Sequence, residues 1–244
     1  MLLELVRWVW YSCTELDMRQ VGWVGDSSEE LGLNLFCDAD FAGCTQTQRS
    51  TSGIHLAVHG SATIFPIIGS CAAQRATATS TPEAELAALN KGYRTAMLPA
   101  LDLFDVLCPR SLPPLVSEDN QAAIMVVNSG RNPTMRHLAR CQRVDLAWLH
   151  ERLGVHPGKD RAVLFYEDTR NMSADVYTKS FSNATAWMHA IRLINIFPSN
   201  QLNNYDAICE WMAVRKDLGN TVIYDDPAQR AKWSKSARSK SKKP

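Results

Sequence analysis

Leu31-Gly-Leu-Asn-Leu-Phe-Cys-Asp38-Ala-Asp40-Phe-Ala-Gly43 is the stretch from which the rest of the chain is read. Leu31, Leu33 and Leu35 alternate with Gly32 and Asn34 and lead into Phe36, the period-two pattern of a strand that buries one face. Such a strand delivers Asp38 to its own end, where a carboxylate is held rigidly and still reached from outside. Taken alone, Asp38 and Asp40 are better explained as turn formers, because aspartate side chains bond their own backbone in turns. Their company changes that reading: Glu85, Asp119 and Asp175 each fall near the boundary of a predicted element.

Downstream, residues 45–50 form a polar hairpin connection, 52–58 alternate as a second strand, 59–61 turn, and 62–68 make a third, so three consecutive strands pair antiparallel. Pro66 is awkward in a central strand, which predicts an edge position or a bulge. Ser80-Thr-Pro-Glu83 starts a helix on two signals, a Ser-x-x-Glu capping box and a first-turn proline. That helix buries Leu86, Leu89, Tyr93, Ala96, Met97 and Ala100, with Asn90, Lys91 and Arg94 facing away. Two helical positions lie about 200° apart, so Glu85 falls at the inward margin, toward the first strand, and Glu83 on the far side. Pro99 should kink or end the helix.

Residues 115–119 read as a strand and 120–128 as a short helix. Residues 135–152 read as one helix, with Arg136, Arg140 and Arg143 at i, i+4, i+7 on one side and Leu138, Cys141, Val144 and Trp148 on another. Residues 162–167 form a last strand, and 171–180 open a further helix. This order predicts an α/β sandwich on a mixed sheet. Residues 185–197 look helical, 198–204 are an Asn-rich break, and 205–218 are a moderate helix. The end, from Lys232 to Lys243, carries six positive charges without a core pattern and is expected to be disordered.

Composition bounds what such a chain does. With 244 residues, 45% of them apolar and 21% charged, it has the make-up of an ordinary globular protein with a full core. The net charge of +1 gives no strong overall field, so a nucleic-acid partner must be met by local basic patches. Seven cysteines, an odd number without a Cys-x-x-Cys, argue against a disulfide framework and a structural zinc site. An intracellular, reducing compartment follows. Residues 1–10 are apolar but interrupted by Glu4 and Arg7, and they read neither as a signal peptide nor as a membrane span. Residues 1–12 look instead like a helix face with nothing to pack on, so the chain reads as beginning mid-architecture.

Six stretches carry a family resemblance: Cys37-Asp-Ala-Asp-Phe-Ala-Gly43, Arg49-Ser-Thr-Ser-Gly53, Ser80-Thr-Pro-Glu-Ala-Glu-Leu-Ala-Ala-Leu89, Glu118-Asp-Asn-Gln-Ala-Ala-Ile124, Arg136-His-Leu138 and Ala174-Asp-Val-Tyr-Thr-Lys179. Each is short, but all six occur in family order. On them, residues 31–182 resemble the ribonuclease H domain of copia-type LTR retrotransposon Pol polyproteins. The resemblance implies a ribonuclease H-like fold: a mixed five-stranded sheet, three antiparallel strands followed by parallel ones, flanked by helices. It makes residues 1–30 a connection from a polymerase, 183–227 a helical C-terminal extension, and 228–244 a disordered basic tail.

The resemblance places metal-binding and catalytic acids at Asp38, Glu85, Asp119 and Asp175, holding two Mg²⁺ ions, with Mn²⁺ able to substitute. The chemistry supports that set. Phosphodiester hydrolysis needs an activated water on one side of phosphorus and charge relief on the other, which two ions about 4 Å apart supply. Hard oxygen ligands suit Mg²⁺. The implied activity is cleavage of the RNA strand of an RNA–DNA hybrid, with a reverse transcriptase polymerase domain as a further partner and no membrane. Asn120 and Gln121 are candidates for reading sugar or minor groove, although Asn120 serves equally as a helix cap. Arg136, Arg140 and Arg143 are the candidate phosphate contacts, against the plainer reading of a solvated helix face. Singly, Asp119 as a helix cap, Asp175 as an i,i+4 partner of Lys179, and Glu85 as a first-turn glutamate are ordinary. Residues 68–74 lack the lysine and tryptophan that the family often carries after the third strand. The alternative function is a transposon-derived fragment that binds nucleic acid without activity.

Overall fold

Leucines at alternate positions make Gly32–Asp40 a strand (β1), and hydrogen bonding to strands on both sides places it at the centre of a sheet. The computed structural model describes residues 17–108, 112–154 and 162–202. β1 pairs antiparallel with β2 (Thr51–His59), Asp38 opposite Gly53, and β2 pairs antiparallel with β3 (Ile64–Ala73). On its other side β1 runs parallel to β4 (Leu115–Glu118), which runs parallel to β5 (Val163–Tyr166). The order across the five-stranded sheet is therefore β3-β2-β1-β4-β5, the mixed α/β arrangement expected. β3 lies at the edge, and its pairing is irregular where Ala57 faces Pro66 and Leu56 faces Ile68. The proline thus occupies an edge next to a bulge, where a missing N–H costs no ladder bond.

The first strand buries both faces, not one. Leu33, Leu35 and Cys37 join the main core with Leu86, Leu89 and Tyr93, while Phe36 packs with Met172 and Ala174. The helix that covers the main core, α1 (Thr81–Gly92), is itself enclosed, because Leu138, Val144, Leu149 and Leu153 join the same cluster. Asn90, expected to face away, is buried for that reason. Pro99 neither ends nor breaks the helix: Tyr93–Met97 forms a π-helical turn, and α2 continues over Leu98–Leu107. Leu98 N–H bonds to Tyr93 O across that wider turn. A proline ring crowds the carbonyl four residues back, and one over-wide turn beside it absorbs the conflict.

Two expected helices are absent. Residues 135–152 are split into a 3-10 turn at Pro133–Met135, a single turn α4 (Leu138–Cys141) and α5 (Leu146–Leu153), following α3 (Gln121–Ser129). Arg143 at the break has φ +57°, and the Asp145 carboxylate accepts from the N–H groups of Ala147 and Trp148 to cap α5. Residues 171–180 form 3-10 turns at Thr169–Asn171 and Ser173–Tyr177 in place of an α-helix. α6 (Ala184–Leu193) ends before residue 197.

Contacts gather Gly22–Ile194 into one compact unit. Of the second unit, drawn from residues before Gly22 and after Ile194, the described part is a two-stranded antiparallel pair, Met18–Gln20 with Ile196–Pro198. The expected helices at 1–12 and 205–218 and the tail 228–244 lie outside the described residues. Among the described residues, the cysteines are free and no helix is long and apolar enough to cross a membrane.

Candidate metal and active site

Asp38 sits two residues inside the end of β1 and is only 2% exposed, while Asp40 closes the strand and accepts from the Thr51 N–H at the hairpin. The two aspartates have separate jobs. Glu85 reaches the site from the first turns of α1, 3% exposed, and Asp119 is the first residue beyond β4. One oxygen from each of Asp38, Glu85 and Asp119 lies within 4.8 Å of the others, the one group among the described residues suited to a cation. Three elements distant in sequence converge there because β1 and β4 run side by side in parallel and α1 lies across the core they share.

Asp175 is held beside this trio and is not part of it. Its turn, Ser173–Tyr177, lies against β2 at Gly53, where a Cβ would come within 2.7 Å of Thr178 Cγ2 and 2.8 Å of Ala174 O. Glycine opposite Asp38 therefore lets the turn close in, which accounts for Gly53 in its motif. His55 Nδ1, 3.2 Å from the Tyr177 hydroxyl, ties the same turn to β2. From it Thr178 Oγ1 donates to Asp38 Oδ2, and Lys179 Nζ lies 2.7 Å from Asp175 Oδ1 and 3.6 Å from Asp38 Oδ1. On the opposite side Thr169 Oγ1 donates to Asp119 Oδ2 at 2.7 Å.

Sequence reading missed Glu118. It is fully buried; Oε1 accepts from the Asn120 N–H at 3.2 Å, and Oε2 has no hydrogen-bond partner among the described residues. Strand alternation carried the signal, since Glu118 shares a face with core residue Val116. Burial raises the Glu118 carboxyl well above its ordinary range, against the Asn120 N–H, and the charges of Asp119 and Asp38 add to it. Burial likewise raises Glu85, followed by the charges of Glu118, Asp38 and Asp119. Asp38 is raised by burial although Lys179 and Thr178 pull it down, and burial pushes Asp175 up to about 7 against the Lys179 ammonium. Burial comes first at each of these carboxyls and repulsion from neighbouring acids adds to it, so ionising them together calls for positive charge that the acids themselves lack.

A divalent ion fits that shortage. The donor set is all carboxylate oxygen, as Mg²⁺ prefers, and Glu85 Oε2 is buried without a hydrogen-bond partner among the described residues. A buried carboxylate oxygen lacking a donor is costly unless a cation satisfies it.

The other sequence candidates are placed differently. Asn120 caps α3, its Oδ1 accepting from the N–H groups of Ala122 and Ala123, and Gln121 is exposed beside it. Arg136, Arg140 and Arg143 are all exposed, but the break between α4 and α5 removes the single helix face they were expected to share. Glu83 is buried and makes no capping box at Ser80. It accepts from Thr79 N and Oγ1 at 2.9 and 2.6 Å and meets His137 Nε2 at 3.1 Å. Burial raises this carboxyl, but the Thr79 bonds and His137 outweigh it and leave it below its ordinary value.

No protein-family model and no curated protein matches the chain. Among solved structures, the chain is similar to LC11 ribonuclease H1, isolated from compost by a metagenomic approach. That similarity has 13% identity and a TM-score of 0.38, and covers 60% of this chain and 92% of the other.

Proposed function

We propose that this chain is a metal-dependent endonuclease that hydrolyses the RNA strand of an RNA–DNA hybrid, the ribonuclease H module of a copia-type Pol polyprotein. The observation that carries the reading is the meeting of Asp38, Glu85 and Asp119 from three separate elements, with a buried Glu85 oxygen lacking any hydrogen-bond partner among the described residues. Bound Mg²⁺ or Mn²⁺, two ions in this reading, supplies an activated water and charge relief at the leaving oxygen. The chain's own residues prepare for it. Asp38, Glu85 and Asp119 would hold an ion, Asp175 would extend the ligand set along the Asp38 side, and Thr178 and Thr169 orient the carboxylates of Asp38 and Asp119.

Around that centre, the free amide of Asn120 and the Gln121 side chain face the sugar edge of the hybrid. Arg136, Arg140 and Arg143 act as separate phosphate contacts, since no helix aligns them. In this reading the module works beside a polymerase partner in a reducing intracellular compartment.

The test is incubation of the purified chain with a hybrid labelled separately on each strand. Mg²⁺-dependent cuts in the RNA strand alone, leaving 5′-phosphate and 3′-hydroxyl ends, are expected. Hybrid binding without cleavage in either ion would favour the inactive nucleic-acid-binding fragment instead.

A further inference from the structure

Lys179 divides the acids of the site into two unequal groups. Its backbone N–H bonds to Asp175 O at 2.9 Å, which sets the two side chains on the same side of one turn. The ammonium then lies 2.7 Å from Asp175 Oδ1 and 3.6 Å from Asp38 Oδ1, a bridge between the two carboxylates. Asp38, Glu85 and Asp119 remain grouped with their oxygens within 4.8 Å, and Asp175 stays outside that group, held by the lysine. The Lys179 side chain is 38% exposed against 3% for Asp38, so the lysine lies on the solvent side of the pair. A flexible four-carbon stem allows withdrawal to that side without moving the turn.

We propose that Lys179 is a resident cation that competes with a divalent ion for the Asp38–Asp175 side of the site, leaving the Asp38–Glu85–Asp119 group as the open position. This rests on the reading of these acids as ion ligands. Two ion positions are thereby made unequal: one is open in the folded chain, and the other is available only when Lys179 swings out. Lys179 supplies positive charge to the metal-free site, because its ammonium lies between the carboxylates of Asp38 and Asp175. The same attraction is what an incoming ion must overcome at that side. The lysine therefore limits occupancy of the second position at low metal concentration more than that of the first, which it meets only through Asp38 at 3.6 Å.

The experiment is a Mn²⁺ titration of the full chain without substrate, followed by calorimetry and by the paramagnetic signal of free Mn²⁺. The wild type is expected to bind in a tighter and a weaker step. Lys179→Met, which keeps the stem and removes the charge, should tighten the weaker step by about tenfold, the weight of one charge-assisted hydrogen bond after solvent screening. Lys179→Arg keeps a cation at the position and should leave both steps near wild type. Circular dichroism on both variants checks that the turn still folds. If Lys179→Met leaves both steps unchanged or weakens them, the lysine is a structural partner of Asp175 and the inference falls alone. If neither wild type nor variant binds Mn²⁺, the assignment of the acids falls with it.

Discussion

Asp38 and Asp40 look alike in the sequence and differ in burial: the first is sealed under the Ser173–Tyr177 turn, the second closes a hairpin. Asp38→Asn should abolish hybrid cleavage and leave the fold intact, because an amide keeps the size and loses the charge that holds an ion. The two glutamates of α1 divide in the same way. Glu85→Gln should remove activity and raise the melting temperature of the metal-free protein, since it replaces a carboxyl that burial and three neighbouring acids disfavour. Glu83→Ala should instead cost roughly 0.5–1.5 kcal/mol in denaturant unfolding, because the Thr79 bonds and the His137 contact are lost while water still reaches both partners, and it should leave cleavage measurable. An inactive Glu83→Ala beside an active Glu85→Gln would show the roles to be reversed.

At the scale of elements, local signals named the strands well and the interrupted helices poorly. Leu33, Leu35 and Cys37, with Ile54 and Leu56 on the neighbouring strand, share a face, and period two alone found them. The split at 142–145 escaped because Leu138 and Val144 pack into one core from either side of a break, so helical spacing persists where the helix does not. Asp145 before an apolar run was the available clue, a start signal for a second helix. The 169–177 region was unreadable for another reason: it is held by contacts from β2, through Gly53 and His55, and hardly by its own pattern. Of the acidic cluster, Asp38, Glu85 and Asp119 were named from motifs, as was Asp175 beside it. Thr178, Thr169 and Glu118 needed the fold, because their partners are distant in sequence or their burial depends on strand facing. Asn120 offers an element-level test: Asn120→Ala should cost about 1 kcal/mol through the lost cap of α3. Asn120→Ser keeps a capping oxygen, adds no charge and loses the amide donor. It should weaken hybrid binding at unchanged melting temperature, measured by fluorescence anisotropy, and unaltered affinity would leave Asn120 as a cap only.

At the scale of the whole molecule, stability should report the burial of these acids, because burial is the first cause of each raised carboxyl. Asp175 titrates at about 7 in the folded chain, above the ordinary carboxyl value of about 4 in the unfolded one. The folded state therefore binds more protons across that window. The stability from this group is fully present below about pH 4 and is lost as pH rises through about 7; Asp38 and Glu85 shift in the same direction. In chelator the melting temperature should fall from about pH 5 to about pH 8, and Mg²⁺ should restore most of the loss at the upper end, because an ion favours the ionised carboxylates. A melting temperature that ignores Mg²⁺ throughout would contradict the charge account. The most direct measurement is single-turnover cleavage of an RNA–DNA hybrid by the wild type and by Asp119→Asn, each in Mg²⁺ and in excess chelator. Cuts in the RNA strand are predicted for the wild type in Mg²⁺ alone, and equal cutting by Asp119→Asn, or by the wild type in chelator, would contradict the account.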